Sequence, residues 1–147
     1  MTTSTHDTPI IGIDLGTTNS VLAIVRAGAP QLLSIDGSEL LPSVVGIDDQ
    51  GATLVGHPAR NQWVVAPERT VRSIKRKMGS SDTVTMGGQP FTPQEISAFI
   101  LRKIADAARA AEDALYIAAL EANAGITPPN NSPCLDADAA KRIGGIK

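Results

Sequence analysis

Residues 10–25 read IIGIDLGTTNSVLAIV, and this stretch decides the fold that we expect for the chain. Two apolar runs flank a short polar loop, a pattern typical of two strands joined by a tight hairpin. Gly16 lets the backbone turn sharply and lets a ligand approach it closely. Thr17, Thr18 and Asn19 add hydroxyl and amide donors, and successive backbone N–H groups in such a turn favour anions. The stretch therefore predicts a phosphate-binding hairpin, and a purely structural turn is the alternative.

Asp14 is the carboxylate of this hairpin and stands at the end of the first apolar run. Mg²⁺ keeps several of its waters in proteins and takes few protein oxygens. A single carboxylate beside bound phosphates suits that preference, so we expect Asp14 to hold Mg²⁺ through water. The loop lacks the Gly-x-x-x-x-Gly-Lys-[Ser/Thr] of a Walker loop and the Gly-x-Gly-x-x-Gly of a dinucleotide site, which excludes those two classes.

The length of 147 residues corresponds to about one ordinary domain. A net charge of −2 gives no general attraction to nucleic acids or anionic membranes. No apolar run approaches the ~20 residues of a membrane helix, and the first eight residues lack the pattern of a secretory signal. Cys134 is the one cysteine and cannot form an internal disulfide, which is typical of a reducing cytosol. We expect a cytoplasmic protein without nucleic-acid or membrane partners.

The sequence after the hairpin predicts a mixture of strands and helices. Apolar runs at residues 31–35, 44–47 and 52–55 predict strands, the last two joined by a turn at residues 48–51. A short helix at residues 59–65 follows Pro58, which is tolerated at a first helical position.

A longer helix is predicted to begin at Thr92, which can cap it, with Glu95 completing a capping box. Phe91 and Ile96 are placed for a hydrophobic staple across that start. Apolar residues recur at helical spacing and should face the core: Ile96, Phe99, Ile100, Ile104, Ala107 and Ala108. The pattern continues weakly to residue 125, and the Pro- and Asn-rich residues 127–133 predict a linker.

Residues 68–77 hold five cations against one carboxylate. A solvated basic surface is one interpretation of such a run. A nucleic-acid site is a second, but no aromatic residue stands within the run to stack on bases. We therefore do not expect a nucleic-acid partner for this segment.

The hairpin sequence IDLGTTNS closely resembles the first phosphate loop of the actin-like ATPases, and most of all that of the DnaK-type seventy-kilodalton heat-shock chaperone family. Residues 69–79 resemble a segment of that family, Asn-Thr-[Val/Leu]-Phe-Ser-Ile-Lys-Arg-Leu-Met-Gly. Arg72 stands where this segment has an aromatic residue, and Lys77 where it has an apolar one. Residues 41–45, 55–62 and 91–98 also agree in order and spacing, so the match runs over about residues 9–110.

The resemblance implies an α/β fold, a partial actin-like ATPase (ribonuclease-H-like) lobe with a small accessory subdomain. On this basis we expect a disordered N-terminus at residues 1–8 and the N-terminal part of a nucleotide-binding domain at residues 9–125. Residues 126–147 would form a linker and a disordered tail.

The same resemblance implies ATP or ADP and Mg²⁺ as ligands. Gly16, Thr17, Thr18 and Asn19 would cradle the phosphates. Asp14 and Lys75 would be the catalytic residues, Lys75 acting at the γ-phosphate. In the full-length family the partners are unfolded peptides, a J-domain co-chaperone and a nucleotide-exchange factor, in protein folding under stress.

The resemblance ends beyond about residue 111. The family's next strand, its second phosphate loop and its adenosine pocket are not found in this sequence. Phosphoryl transfer needs several converging groups, so we expect a fragment or truncated family member that is inactive alone. The alternatives are a non-catalytic remnant that only binds a partner, and a sugar-kinase-like phosphotransferase of the same superfamily. Residues 42–45 and 73–76 argue against the sugar-kinase alternative because they match the chaperone family.

Overall fold

The computed structural model describes residues 10–122 of the protein, with side chains described as far as residue 114. The chain divides into two compact units, Met1–Ala108 and Arg109–Lys147. The first unit contains all the strands given below, and the described part of the second unit is helical. The segments expected to be disordered, residues 1–8 and 126–147, lie outside the described residues, as do Cys134 and the predicted linker.

The predicted hairpin is confirmed. The first sheet consists of β1 (Ile11–Asp14), β2 (Asn19–Arg26), β3 (Ala29–Leu33) and the short β4 (Leu41–Pro42). Its order is β1-β2-β3, with β4 also paired to β2, and all pairs are antiparallel. Alternation along β2 buries Ser20, Leu22 and Ile24, whereas the residues between them are partly exposed. This register places the start of β2, and therefore the polar loop before it, next to β4.

The second sheet has β5 (Val44–Ile47) at its centre, between β6 (Thr53–Val55) and β7 (Thr70–Arg72). The predicted turn between β5 and β6 is confirmed, because the Asp48 carboxylate accepts the backbone N–H groups of Gln50 and Ala52 at 2.9 and 2.7 Å. Such local side-chain acceptance is why Asp favours turns.

Helix α1 (His57–Trp63) begins two residues earlier than predicted and packs against β5 and β7. The side-chain amide of Gln62 fixes this packing. Its Nε2 donates to the Ile47 carbonyl at 3.0 Å and to the Thr70 hydroxyl at 3.2 Å. The Thr70 hydroxyl in turn donates to the Ala66 carbonyl at 3.0 Å. These bonds hold the C-terminal end of α1 over the second sheet.

The basic segment does not form one continuous element. It contains a 3-10 turn (Pro67–Arg69), then β7, then a second 3-10 turn (Ile74–Lys77). Ser73 separates the last two with φ +56°, a left-handed conformation that is uncommon for any residue except glycine. The chain therefore changes direction sharply at Ser73.

A hairpin of β8 (Val84–Met86) and β9 (Gln89–Phe91) was not predicted from the sequence. Its two-residue turn is Gly87-Gly88, and both glycines have positive φ, as a tight hairpin of this type requires. The glycine pair was the available signal. Each strand has three residues, which is too short for a visible alternation of apolar and polar side chains.

Helix α2 (Pro93–Ala122) begins with the predicted capping box. The Thr92 N–H donates to the Glu95 carboxylate at 2.8 Å, and the Glu95 N–H donates to the Thr92 hydroxyl at 3.3 Å. The aromatic contact of Phe91 is with Phe99, edge to face at 6.2 Å between ring centroids. Within the described residues no helix combines the length and the apolar character needed to cross a membrane.

The predicted apolar stripe of α2 is confirmed as far as its side chains are described. Ile96, Ile100, Ile104 and Ala108 are buried, and they share one core with residues of the sheets. The sheet side of this core contains Leu22, Ile35, Leu41, Val45, Val71, Ile74 and Met86. The α/β class expected from the sequence is therefore observed.

The capping box predicts a pH dependence of stability. Hydrogen bonds from the backbone N–H and then from the hydroxyl of Thr92 lower the pKa of Glu95 below its ordinary value of 4.5. A carboxylate with a lowered folded-state pKa stabilises the fold above its ordinary pKa, and this stabilisation is lost as the pH falls through the lowered value. We expect the stability difference between wild type and Glu95→Gln, measured by urea unfolding, to shrink as the pH is lowered from neutral to below 4.5.

The control for this prediction is the same substitution in a Thr92→Ala background. Removal of the hydroxyl takes away one of the bonds that lower the pKa, so the pH dependence of the Glu95→Gln effect should be smaller there. A Glu95→Gln effect that stays constant with pH in the native Thr92 background would contradict the prediction.

Candidate phosphate-binding site

The loop at residues 15–18 connects β1 to β2 and is very tight. A Cβ added at Gly16 would collide with the backbone carbonyl oxygen of Asn19. No substitution by a residue with a side chain fits this backbone without movement. The predicted need for glycine at this position therefore rests on a direct steric contact.

Ser43, between β4 and β5, holds the loop in place. Its hydroxyl donates to the Gly16 carbonyl at 2.8 Å, and its backbone N–H donates to the Thr18 carbonyl at 2.8 Å. The Ser20 hydroxyl lies 2.9 Å from the Ser43 hydroxyl. Because Ser43 uses its one hydroxyl proton on Gly16, Ser20 is the donor of this bond. Both serines are buried, at 0% and 3% exposure, so water does not compete for these hydrogen bonds.

The loop forms one wall of a cavity of about 380 Å³. Its other walls come from the β4–β5 junction, from α1, and from β7 with the 3-10 turn after it. The lining residues are Thr17, Thr18, Asn19, Pro42, Ser43, Val44, Arg60, Trp63, Arg72, Ser73 and Arg76. Three of the four predicted phosphate-binding residues therefore share one cavity with several residues that the sequence analysis did not assign to a site.

The cavity is strongly basic. Arg60, Arg72 and Arg76 line it, and none of them has a carboxylate within 4.0 Å in the part of the chain that the structure describes. The guanidinium of Arg72 lies over the indole ring of Trp63, 3.9 Å from its centroid. Uncompensated guanidinium groups beside hydroxyl and amide donors favour a phosphate-like anion.

Asp14 and Lys75 lie outside the lining of this cavity. Asp14 ends β1 and is exposed. Lys75 is exposed in the 3-10 turn Ile74–Lys77, and the neighbouring Arg76 reaches the cavity instead. Within residues 10–122 no group of three or more acidic, histidine or cysteine residues could hold a metal ion. The single-carboxylate Mg²⁺ site at Asp14 and the catalytic role of Lys75 stay predictions.

Ser43, Arg60, Trp63, Arg72 and Arg76 are among the cavity-lining residues that were not predicted from the sequence as parts of a site. Ser43 belongs to residues 41–45, which resemble a segment of the chaperone family, but this resemblance does not indicate a hydrogen bond to Gly16. Trp63 and Arg72 stand in different elements, and the packing of α1 against β7 brings them together. No local pattern could have predicted this contact.

The fold and the site together define an α/β unit with a tight threonine-rich loop beside a cavity lined by three arginines. The family model described as Hsp70 protein matches residues 10–85, and the chain belongs to the Hsp70 family. The family membership expected from the resemblance is confirmed.

Curated relatives agree with this assignment. Chaperone protein DnaK from Thermotoga petrophila and from Thermotoga maritima are each 48% identical to the chain over 103 residues. This alignment covers 69% of the chain and 17% of each relative. Chaperone protein DnaK from Thermotoga neapolitana is 50% identical over 97 residues, covering 65% of the chain and 16% of the relative. The chain thus spans only about 17% of the length of the relatives it matches.

The hydrogen bonds of Ser43 lead to a stability prediction. Ser43→Ala leaves the Gly16 carbonyl and the buried Ser20 hydroxyl without their partner, which costs about 1–3 kcal/mol of unfolding free energy. Urea unfolding followed by circular dichroism measures this loss. The matched control is Ser34→Ala at an exposed serine, which should change stability by less than about 0.5 kcal/mol. Equal effects of the two substitutions would contradict the proposed role of Ser43.

Proposed function

We propose that the chain carries the N-terminal part of the nucleotide-binding domain of an ATP-dependent, DnaK-type molecular chaperone. Its fold would be a partial actin-like lobe with a small accessory subdomain. The loop formed by Gly16, Thr17, Thr18 and Asn19 binds the phosphates of ATP or ADP. The observation that carries the proposal is the sharing of one cavity by three of these residues and three arginines without carboxylate partners in the described chain.

The loop geometry supports this assignment. Gly16 permits the tight turn of the loop, because a side chain there would collide with the Asn19 carbonyl. The carbonyls of Gly16 and Thr18 accept hydrogen bonds from Ser43 and are thereby held in fixed directions. A loop that is ordered before binding loses little conformational entropy on binding, which favours affinity.

The proposal assigns the cation and the catalysis to residues near this cavity. Asp14 would hold the water shell of Mg²⁺, which prefers one or two carboxylates together with phosphate oxygens. Lys75 would stabilise the charge that develops at the γ-phosphate, since a lysine is a compact cation on a flexible stem. Bound Mg²⁺ would supply charge neutralisation between the phosphates.

The wider chaperone function belongs to a longer protein context, because the chain spans about 17% of its relatives' length. In that context we propose binding of unfolded peptides, with a J-domain co-chaperone and a nucleotide-exchange factor as partners, in the cytoplasm. For the chain alone we propose weak nucleotide binding, on the order of millimolar, without measurable hydrolysis.

Calorimetric titration of the chain with Mg-ATP tests the binding proposal. Gly16→Val should lower the affinity at least about tenfold, because the side chain collides with the Asn19 carbonyl and distorts the loop. Gly12→Val is the matched control in the same hairpin, since a Cβ there meets no atom within 4 Å. Equal affinities of the two variants, or no ATP binding by the wild type, would overturn the proposal and favour the non-catalytic remnant.

The role of Lys75 is tested in a full-length DnaK relative that carries residues 10–85 of this chain in place of its own. Lys75→Ala should lower the single-turnover rate of ATP hydrolysis by about 10²–10³-fold. The affinity for ATP should change little, because Lys75 acts on charge that develops in the transition state. Lys77→Ala is the control for general loss of charge in the same segment. Equal rates of ATP hydrolysis in Lys75→Ala and Lys77→Ala would contradict a catalytic role of Lys75.

A further inference from the structure

The contact between Trp63 and Arg72 is the feature of the cavity that the proposed function leaves unexplained. Trp63 ends α1 and Arg72 ends β7, so two separate elements position the pair. The Arg72 guanidinium carbon lies 3.9 Å from the centre of the indole ring, within the distance of a cation–π interaction. Both side chains line the same cavity as the phosphate-binding loop.

Stacking orients the Arg72 guanidinium without consuming its hydrogen-bond donors. The five N–H groups of a guanidinium lie in its plane, whereas the indole covers one of its faces. The donors at the edge therefore stay available, and no carboxylate within the described residues pairs with them. An arginine whose rotamer is already restricted loses less entropy when it binds an anion.

The same contact disfavours a nucleobase at Trp63. The cation already covers one face of the indole, so a base that stacked on that face would have to displace it. The remaining walls offer the hydroxyl groups of Thr17, Thr18 and Ser73 and two further arginines. These are donors for phosphate oxygens and do not distinguish one base from another.

We propose that Arg72, oriented by Trp63, binds the phosphate chain of the ligand, and that this cavity recognises the phosphates irrespective of the base attached to them. The inference deepens the proposed function and rests on it, because the phosphate loop forms one wall of the same cavity. Nucleoside triphosphates and inorganic tripolyphosphate both present such a chain of phosphates. The experiment below compares their binding.

The experiment titrates the full chain with ATP, GTP, inorganic tripolyphosphate and adenosine, by calorimetry and by tryptophan fluorescence. Trp63 is the single tryptophan of the chain, so its emission reports directly on the cavity. ATP, GTP and tripolyphosphate should bind within about threefold of one another and change the emission, whereas adenosine should do neither.

Two variants test the roles of the pair by calorimetry. Arg72→Phe, which introduces the aromatic residue type of the resembling segment, should lower the affinity for tripolyphosphate about tenfold or more. Trp63→Leu keeps the arginine but removes its orienting ring, and should lower the affinity a few-fold. Arg102→Phe is the matched control, because it removes the same charge from an exposed position on α2 outside the cavity lining. Circular dichroism of each variant verifies that the fold is retained.

The outcomes separate this inference from the proposed function. ATP binding that is lost in Gly16→Val but unchanged in Arg72→Phe would overturn the inference and leave the proposed function standing. Tripolyphosphate binding that depends on Arg72, without any ATP binding, would support an anion site and overturn the nucleotide assignment. A strong preference for ATP over tripolyphosphate, or binding of adenosine alone, would overturn selection by the phosphates. Absence of all binding would overturn both.

Discussion

The hydrogen bonds of Ser43 are the constraint on which the rest of the site depends. They join the loop between β1 and β2 to the junction of β4 and β5, so that the first sheet and the start of the second are held together at one point. Ser20 completes the arrangement from within the core. A carbonyl that accepts from Ser43 cannot turn toward an incoming anion, so the same bonds that stabilise the loop also favour its proposed ligand.

The basic wall of the cavity depends on a second set of contacts. Gln62 joins α1 to the end of β5 and the start of β7, and α1 contributes Arg60 and Trp63 to the lining of the cavity. The sharp turn at Ser73 then directs the following basic residues, of which Arg76 lines the cavity. The fold therefore separates the cations of the basic segment into two groups. Arg72 and Arg76 line the cavity, whereas Lys75 and Lys77 do not.

Membership of the Hsp70 family accounts for the tight threonine-rich loop but leaves the stacked Arg72 unexplained. The segment that this part of the chain resembles has an aromatic residue at that position. Arg72 instead places a cation over Trp63 and adds a positive charge to the cavity. Electrostatic attraction of this kind is worth more in a partly enclosed cavity than on an open surface, because less water screens it.

Local features of this protein were determined by the sequence itself. The hairpin, the Asp48 turn, the capping box at Thr92 and the apolar stripe of α2 each depend on residues within a few positions of one another. Their hydrogen bonds and periodicities can therefore be predicted from the sequence alone. The β8–β9 hairpin escaped prediction because its strands are too short to show a period, although its glycine pair was present.

The assembly of the site was decided only by the tertiary structure. The bond of Ser43 to Gly16 spans 27 positions, and the stacking of Arg72 on Trp63 requires a helix to pack on a sheet. The basic run at residues 68–77 contains no aromatic residue, but the fold places Trp63 of α1 against Arg72 of this run. The pattern of residue types does not indicate this contact. Contacts between distant segments follow from how the elements pack together, and that packing is a property of the whole folded core rather than of any one stretch of the chain.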